Sequence, residues 1–174
     1  MSVYIGIDPG LKGCIAVITP YGHLPDLYDT PTTEYIKRLT KKKTRKMNNY
    51  DLDSMVLTAR SIRRVWDAHE RYWFLEDVHS VPGFRSRPEV SLDRAVGLWE
   101  GIIEGLREEL VLVKPKDWEK EFGLIGEDKD AAIEKALELF PGINLKRPRA
   151  RTNSSDRADA LLIAAYGRRV TNNE

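Results

Sequence analysis

Short apolar runs separated by turn residues predict strands at the start of the chain. Residues 3–8 (VYIGID) are rich in β-forming side chains, and a turn containing Gly10 and Gly13 follows them. Residues 14–19 (CIAVIT) form a second apolar run, so the two segments predict a β-hairpin. We expect a third antiparallel strand at residues 24–28.

The rest of the chain alternates between helix and strand patterns. Asp51 or Asp53 can cap a helix that runs to about residue 70. One face of that helix carries the apolar residues Met55, Ala59, Ile62 and Trp66. Strands are predicted at residues 72–78 and 110–113, and helices at residues 89–108, 116–122, 129–140 and 155–169. Three strands followed by alternating helices and strands predict an α/β fold, with a mixed sheet flanked by helices.

The helix predicted at residues 89–108 carries three glycines spaced four residues apart. Gly97, Gly101 and Gly105 lie on a face next to its apolar stripe. Glycine inside a helix costs roughly 1 kcal/mol relative to alanine, so three of them indicate close packing. Either a second copy of the chain approaches this face, or the helix lies close to its own sheet.

The composition is typical of one globular domain. The 174 residues include 41% hydrophobic and 32% charged side chains, and most domains have roughly 100–150 residues. Residues 31–50 are polar and basic without a clear period, and we interpret them as an insertion in a single domain of residues 1–174.

Cysteine and histidine content limits the classes of site. The single cysteine, Cys14, excludes an internal disulfide, and three scattered histidines argue against a Cys–His zinc site. No apolar run approaches the ~20 residues of a membrane span, and residues 1–10 do not resemble a signal peptide. We therefore expect a cytoplasmic protein.

The net charge of +1 conceals two basic runs. Residues 37–46 hold seven cations in ten positions with no acid, and residues 146–151 hold four in six, with Arg157 close behind. Lysines and arginines that neutralise phosphates release counterions, so two such runs predict a polyanionic partner. A solvated basic loop without a partner is the alternative. The DNA-binding residues predicted from the two runs are Lys41, Lys42, Lys43, Arg45, Lys46, Arg149 and Arg151.

Four acids stand at predicted ends of strands and helices. Asp8 ends the first strand, Glu76 lies near the end of the strand at residues 72–78, and Asp156 and Asp159 lie at the head of the last helix. Simpler interpretations exist: a turn residue for Asp8, a strand reaching water for Glu76, and a helix cap for Asp156. Their convergence, however, would suit Mg²⁺ or Mn²⁺, and two ions about 4 Å apart can activate water and stabilise the leaving oxygen of a phosphodiester. The acids therefore predict metal-dependent nuclease chemistry.

Three motifs in order resemble those of RuvC-type Holliday-junction resolvases. They are GIDPG at residues 6–10, LE at residues 75–76 and SDRADALL at residues 155–162. The segments VHSVPG at 78–83 and KPKDW at 114–118 resemble the phage and viral branch more than the bacterial housekeeping enzyme. The similarity covers nearly the whole chain, apart from the insertion.

This resemblance implies an RNase H-like fold, a homodimer, and metal-dependent nicking of four-way DNA junctions in recombination, repair or viral genome processing. It places Asp8, Glu76, Asp156 and Asp159 in the family's catalytic carboxylate positions, where they would bind two Mg²⁺ ions, with Mn²⁺ as a substitute. It also implies that water is the nucleophile and that 5′-phosphate and 3′-hydroxyl ends result. Lys129 loosely matches a basic position near that family's active site.

Two positions depart from the family pattern. The bacterial enzyme has an aromatic residue three positions after the second carboxylate, which stacks on junction bases, and this chain has His79 there. Phe84 is the nearest aromatic residue, and Arg85 and Arg87 in the same loop are candidate junction contacts by position alone. The lysine expected after KPKDW falls on Glu119, so we assign no catalytic lysine there.

Other functions fit parts of the pattern. An actin-like sugar kinase also begins with Gly-Ile-Asp-x-Gly, but that fold needs two such domains, and 174 residues leave no room for them. Another RNase H-like nuclease, acting on RNA–DNA hybrids or on flap or branched DNA, stays open. So does a non-catalytic junction-binding protein, although it would not need four aligned acids.

Overall fold

A five-stranded mixed sheet forms the centre of the protein. The computed structural model describes residues 1–40, 43–78 and 87–172, except for the side chains of residues 87–91. The elements in chain order are β1 (Ser2–Asp8), β2 (Cys14–Ile18), β3 (Asp26–Asp29), β4 (Thr32–Arg38), β5 (Thr44–Tyr50), α1 (Leu52–Val65), β6 (Glu70–Glu76), α2 (Arg87–Gly105), β7 (Leu110–Val113), α3 (Pro115–Glu121), α4 (Lys129–Leu139) and α5 (Ser155–Asn172). Of the helices in these ranges, none combines the length and apolar character needed to cross a membrane.

The strand order of the central sheet is β3-β2-β1-β6-β7. The first three strands pair antiparallel, which confirms the predicted hairpin and third strand. β6 lies parallel to both β1 and β7. Ile7 in β1 stands beside Leu75 in β6, so these two strands end at the same edge of the sheet. The mixed sheet flanked by helices confirms the predicted fold class.

Helices cover both faces of the sheet and create two apolar layers. Tyr4 and Phe74 belong to the layer shared with α4 and α5. Ile5 and Trp73 belong to the opposite layer, shared with α1 and α2. Successive side chains of a strand point to opposite faces, which is why neighbouring residues of one strand belong to different layers.

α5 lies directly on β1 at Gly6. A Cβ atom at Gly6 would stand 2.3 Å from the carbonyl oxygen of Ala160 and 2.4 Å from the amide nitrogen of Ala164. Glycine is needed there because any side chain would collide with the helix backbone. This contact fixes the first turns of α5 beside the end of β1.

Residues 31–50 are more regular than the sequence predicted. β4 and β5 pair antiparallel along their full lengths, from Thr32 opposite Tyr50 to Arg38 opposite Thr44. They form a separate two-stranded sheet, which we call the ribbon. Most side chains of the ribbon are exposed on both faces, so its sequence shows no alternation of apolar and polar positions. That absence of a buried face is why the pattern did not reveal the strands.

α1 ends at Val65, earlier than the predicted end near residue 70. Asp51 caps its start, as expected, by accepting a backbone hydrogen bond from the first turn at 3.1 Å. Nη1 of Arg71 donates to the carbonyl oxygens of Trp66 at 2.8 Å and His69 at 2.9 Å. The guanidinium therefore stabilises a turn in place of the last helical residues.

The glycine face of α2 lies away from the sheet. A Cβ atom at Gly97, Gly101 or Gly105 would meet no described atom within 4 Å beyond the helix's own backbone. The interpretation that these glycines let α2 approach its own sheet is therefore wrong. They line an open groove of about 410 Å³ together with residues of α1.

Candidate functional site

Two of the predicted acids stand at the ends of neighbouring strands. Asp8 is the last residue of β1, and Glu76 is the last residue of β6. Because these strands are parallel and in register, both carboxylates reach the same edge of the sheet. The backbone N–H of Gly10 donates to Oδ1 of Asp8 at 3.2 Å, which holds this carboxylate at the start of the turn.

The start of α5 carries the other two acids to this edge. Asp156 and Asp159 lie in the first turns of α5, and the helix meets β1 at Gly6, two residues before Asp8. The Ser154 hydroxyl donates to Oδ2 of Asp156 at 3.2 Å. The structure thus brings together the four acids that the sequence singled out.

Clustering changes the acid strength of these groups. Burial and then the charge of Glu76 raise the pKa of Asp8 well above its usual value. Burial, followed by the charges of Glu76 and Asp156, raises the pKa of Asp159 to about 7. Burial also raises the pKa of Glu76. Carboxylates that share a site without a cation repel one another and retain their protons to higher pH, so the raised pKa values report the cost of charging all of these groups together.

Glu76 has a partner that the sequence analysis did not assign. Nε1 of Trp118 donates to Oε1 of Glu76 at 3.0 Å, and this indole is almost fully buried. The bond favours the charged carboxylate, so it lowers the pKa of Glu76 against the larger effect of burial. The available signal was the tryptophan of KPKDW, a segment noted for its resemblance but given no role. Trp118 fixes the orientation of Glu76.

A network of ion pairs supports the start of α5. Arg157 is 9% exposed and donates to both carboxylate oxygens of Asp29, at 2.8 and 2.9 Å. Arg147 pairs with the same Asp29 at 2.7 Å and approaches Oδ2 of Asp156 at 3.5 Å. Asp29, the last residue of β3, thereby ties both α5 and the loop at 146–154 to the sheet. Arg157 follows the second basic run in the sequence, but its guanidinium forms an ion pair inside the fold.

The four acids offer a donor set that suits a hard divalent cation. Carboxylates provide oxygen ligands, which Mg²⁺ and Mn²⁺ prefer, and a cation would neutralise the charge that raises the pKa values of Asp8 and Asp159. In the arrangement observed, no three His, Cys, Asp or Glu side chains of the described residues converge closely enough to hold an ion. Trp118 and Arg147 each draw one carboxylate toward themselves. Metal binding therefore requires side-chain movement within the cluster.

The ribbon carries the described residues of the first basic run. Lys43, Arg45 and Lys46 are exposed, the last two on β5. Lys46 pairs with Glu34 across the ribbon at 3.1 Å, with both side chains largely in solvent. Such an exposed pair contributes about 0–1 kcal/mol, so it leaves Lys46 free to exchange partners.

The other predicted DNA-binding cations that the structure describes lie in the 146–154 loop and at the start of α4. Arg149 and Arg151 are exposed in the 146–154 loop, which faces the ribbon across a cleft. Lys129 begins α4, and its charge lowers the pKa of Asp159 against burial and repulsion. Lys129 is therefore close enough to the cluster to act on it electrostatically.

Several predicted DNA contacts lie outside the described residues. Nothing of the side chain of Arg87, the first residue of α2, is described. The others, wholly outside the described ranges, are Lys41, Lys42, Phe84 and Arg85, together with His79 at the departure from the family pattern.

Two solved structures resemble this chain over nearly its whole length. Thermus thermophilus RuvC in complex with a Holliday-junction substrate has a TM-score of 0.57 and 16% identity, and the match covers 97% of this chain and 96% of that chain. A second Thermus thermophilus RuvC structure has a TM-score of 0.50 and 15% identity, with the same coverage of both chains. The chain has an RNase H-like fold. No protein-family model and no curated protein sequence matches it.

Within this RNase H-like fold, the four acids and the ribbon belong to different parts. The acids stand on β1, β6 and α5, which are elements of the packed core. The ribbon is inserted between β3 and α1 and forms its own sheet. Residues of the ribbon can therefore be substituted without displacing the core elements that hold the carboxylates.

Proposed function

We propose that the protein is a metal-dependent endonuclease that resolves four-way DNA junctions. The observation that carries this proposal is the meeting of four carboxylates at one edge of an RNase H-like sheet, where burial and repulsion raise the pKa values of Asp8 and Asp159. Two further findings support it: the similar fold of a RuvC protein solved with a Holliday-junction substrate, and the three ordered motifs of the sequence.

The chemistry would be hydrolysis of one phosphodiester at each cluster. Asp8, Glu76, Asp156 and Asp159 would hold two Mg²⁺ ions, or Mn²⁺ in their place, which supply activation of water and stabilisation of the leaving oxygen. Trp118 keeps Glu76 oriented and favours its charged form. The oxygen of water joins phosphorus, the bond from phosphorus to O3′ breaks, and O3′ leaves as a hydroxyl. The ends are then a 5′-phosphate and a 3′-hydroxyl, which a ligase can join.

The ribbon and the 146–154 loop form the DNA path in this proposal. They face each other across a cleft that Asp156 also lines. Lys43 and Arg45 of the ribbon, and Arg149 and Arg151 of the loop, do not line the cleft itself but are exposed and can neutralise phosphates beside it. A two-stranded antiparallel ribbon also fits the major groove of B-DNA.

The partner that we propose for the groove between α1 and α2 is a second copy of the chain. A four-way junction is cut on two opposed strands, and one carboxylate cluster makes one cut at a time. A two-fold contact needs only one self-complementary patch. The groove presents apolar side chains from both helices beside the open glycine face, so a second helix can approach closely.

Charges at both ends of the glycine face indicate the direction of this contact. Arg94 lies three residues before Gly97, Glu104 lies three residues after Gly101, and both charged side chains are exposed. An antiparallel pair of α2 helices, centred between the two glycines, places Arg94 of one copy opposite Glu104 of the partner subunit, twice by symmetry.

Charge reversal tests this dimer. Arg94→Glu and Glu104→Arg should each give monomers by light scattering, and the double variant should restore the dimer. Gly101→Leu points into open space, so it should give folded monomers that nick one strand but do not cut both strands together. A wild-type monomer on intact junction DNA would contradict the homodimer.

The nuclease function is tested by cleavage of four-way, three-way and linear DNA and of an RNA–DNA hybrid, with Mg²⁺ and with mapping of the nicks. We expect symmetrically paired nicks in the four-way junction. Asp8→Asn keeps the shape of the side chain but loses its charge, so it should retain folding and DNA binding while losing cleavage. Glu76→Gln and Asp159→Asn should behave in the same way.

Each alternative function has its own outcome in this experiment. Preferred cleavage of the hybrid would identify a different RNase H-like nuclease, and junction binding without cleavage would identify a non-catalytic binding protein. Full nicking by Asp8→Asn would refute the assignment of the site, and ends that a ligase cannot join would refute the chemistry.

We further place the protein in the phage and viral branch of RuvC-type resolvases, on the segments at 78–83 and 114–118. Residues 79–83 of the first segment lie outside the described residues. Such a protein would act in the cytoplasm, in recombination, repair or viral genome processing.

A further inference from the structure

A polar cleft of about 490 Å³ lies beside the candidate active site, between the ribbon and the 146–154 loop. Thr32 and Asn48 line it from the ribbon, and Thr152 and Asn153 line it from the loop. Asp156 also lines it, so the cleft adjoins the carboxylates. Neutral hydrogen-bonding side chains outnumber charged ones along its surface, which distinguishes it from a simple phosphate-binding groove.

A buried hydroxyl without a partner lies at the wall of this cleft. Thr30 is 6% exposed, and its Oγ1 has no hydrogen-bond partner among the described residues. The backbone N–H of Thr30 already donates to the carbonyl oxygen of Gly13 at 2.9 Å. Buried polar groups are nearly always satisfied by protein, ordered water or a ligand. Because Thr30 lines the cleft, a molecule bound there would supply the partner that this hydroxyl lacks.

Two cations and two carboxylates, those of Asp29 and Asp156, stand next to these neutral groups. Arg147 is held by Asp29 at 2.7 Å and by the carbonyl oxygen of Gly13 at 3.4 Å, so its guanidinium is fixed at the cleft. Lys12 also lines the cleft, and its side chain is exposed. Arginine and lysine are the usual protein groups for binding phosphate. The cleft therefore combines a site for phosphate with a surface for hydrogen-bonding a neutral group.

We propose that the cleft is a subsite for one nucleotide of the DNA strand that is cut, which rests on the proposed nuclease function. The phosphate of that nucleotide lies at Lys12 and Arg147, and its base lies between Asn48 and Asn153. An amide side chain offers a donor and an acceptor together, which is the arrangement that reads the edge of a base. The volume exceeds the roughly 300 Å³ at which small-molecule pockets begin.

The position of the subsite gives it a consequence for cleavage. Because Asp156 lines the same cleft, a nucleotide bound there adjoins the phosphodiester presented to the carboxylates. Discrimination between bases by Asn48 therefore becomes a base preference next to the cut. Asn48 belongs to the ribbon, so the inserted element supplies this selectivity while the core of the fold supplies the catalytic acids.

Binding of the four 2′-deoxynucleoside 5′-monophosphates to the full-length protein measures the subsite directly. Titration followed by NMR should show that one or two nucleotides bind about tenfold more tightly than the others, as expected from one pair of base-edge hydrogen bonds. Asn48→Ala and Thr30→Val should make the four affinities equal. Sequencing of cut ends from junctions with randomised positions should show the same preferred base, and both variants should lose that preference.

Thr19→Val is the matched control. Thr19 is 8% exposed, and its Oγ1 also lacks a partner among the described residues. It follows Ile18, which pairs with Tyr4 far from Asp8, so it lies at the other end of the sheet. We expect Thr19→Val to bind nucleotides like the wild type. Thr30→Val should not lower the melting temperature, because the hydroxyl that it removes bonds to nothing in the described protein.

Failure of the subsite and failure of the nuclease function give different results. Equal binding of all four nucleotides by the wild type, or no binding at millimolar concentration, overturns the subsite. So does an identical distribution of cut sites in the wild type and Asn48→Ala, even if both cleave junctions. Selective nucleotide binding that Asn48→Ala abolishes, in a wild type that cuts no DNA with Mg²⁺, would instead keep the subsite and remove the nuclease.

Discussion

Gly6→Ala is the substitution that should couple stability and activity most directly. The added methyl group would lie 2.3 Å from the carbonyl oxygen of Ala160 and 2.4 Å from the amide nitrogen of Ala164, whereas ordinary contacts begin at 3.4 Å. Both obstructing atoms belong to the backbone of α5, so no rotation of a side chain can relieve the collision. The helix must move away from β1 by about 1 Å.

The cost of this movement can be worked out from the contact. Overpacking a close-packed core costs about 1–3 kcal/mol, and a backbone collision on two sides belongs at the upper end. Replacing glycine by alanine also raises the free energy of unfolding by about 0.4–1 kcal/mol, because alanine lowers the conformational entropy of the unfolded chain. The net loss is therefore about 2 kcal/mol, which lowers the melting temperature of a domain of this size by about 4–8 °C.

The same movement should impair cleavage in molecules that remain folded. It separates Asp156 and Asp159 on α5 from Asp8 on β1, and a displacement of about 1 Å in a catalytic site can cost about 100-fold in rate. Thermal melting and single-turnover cleavage of a four-way junction, both at a temperature where the variant is folded, measure the two effects.

Gly10→Ala is the control for stability. A Cβ atom at Gly10 would be 3.6 Å from the nearest atom, which is an ordinary contact, and the backbone of Gly10 is outside the left-handed region. We expect its melting temperature to equal or slightly exceed that of the wild type. A Gly6→Ala protein that melts with the wild type would refute the argument that α5 rests on β1 through this glycine.

Three further predictions concern charges. The pKa of Asp159 is raised to about 7 from an unfolded value near 3.9, so the metal-free protein should lose stability as pH rises from about 4 to 7. In urea unfolding at pH 8, Asp159→Asn should therefore be more stable than the wild type by about 1–4 kcal/mol, and this difference should be smaller with Mg²⁺. Asp29→Ala removes the carboxylate that pairs with the buried guanidinium of Arg157, so it should lower the free energy of unfolding by about 3 kcal/mol in the same assay. Adding Arg157→Met should recover part of this stability, and an unchanged urea midpoint in Asp29→Ala would refute the structural role of the pair. Lys43→Ala and Arg45→Ala should each lower the slope of log binding constant against log salt concentration for junction DNA by about one unit. An unchanged slope would mean that the ribbon is a solvated surface without a DNA contact at these positions.

Local patterns of apolar and polar residues were sufficient to predict the strands of the central sheet and the helices around it. β7 spans Leu110–Val113, as its apolar run predicted, and α1 buries Met55, Ala59 and Ile62 on the face that their spacing indicated. Periodic apolar positions report burial on one side, which is the main local signal of secondary structure. The ribbon was missed as paired strands because both its faces are largely exposed.

The acids were named from the sequence, but their surroundings depended on contacts between distant parts of the chain. Trp118 lies 42 residues from Glu76, and Arg157 lies 128 residues from its partner Asp29. Likewise, the open space around Gly101 depends on how α2 packs against the other elements, which the sequence does not show. Such partners follow no period along the chain. The sequence therefore predicted which acids form the candidate site, while folding decided which side chains orient them.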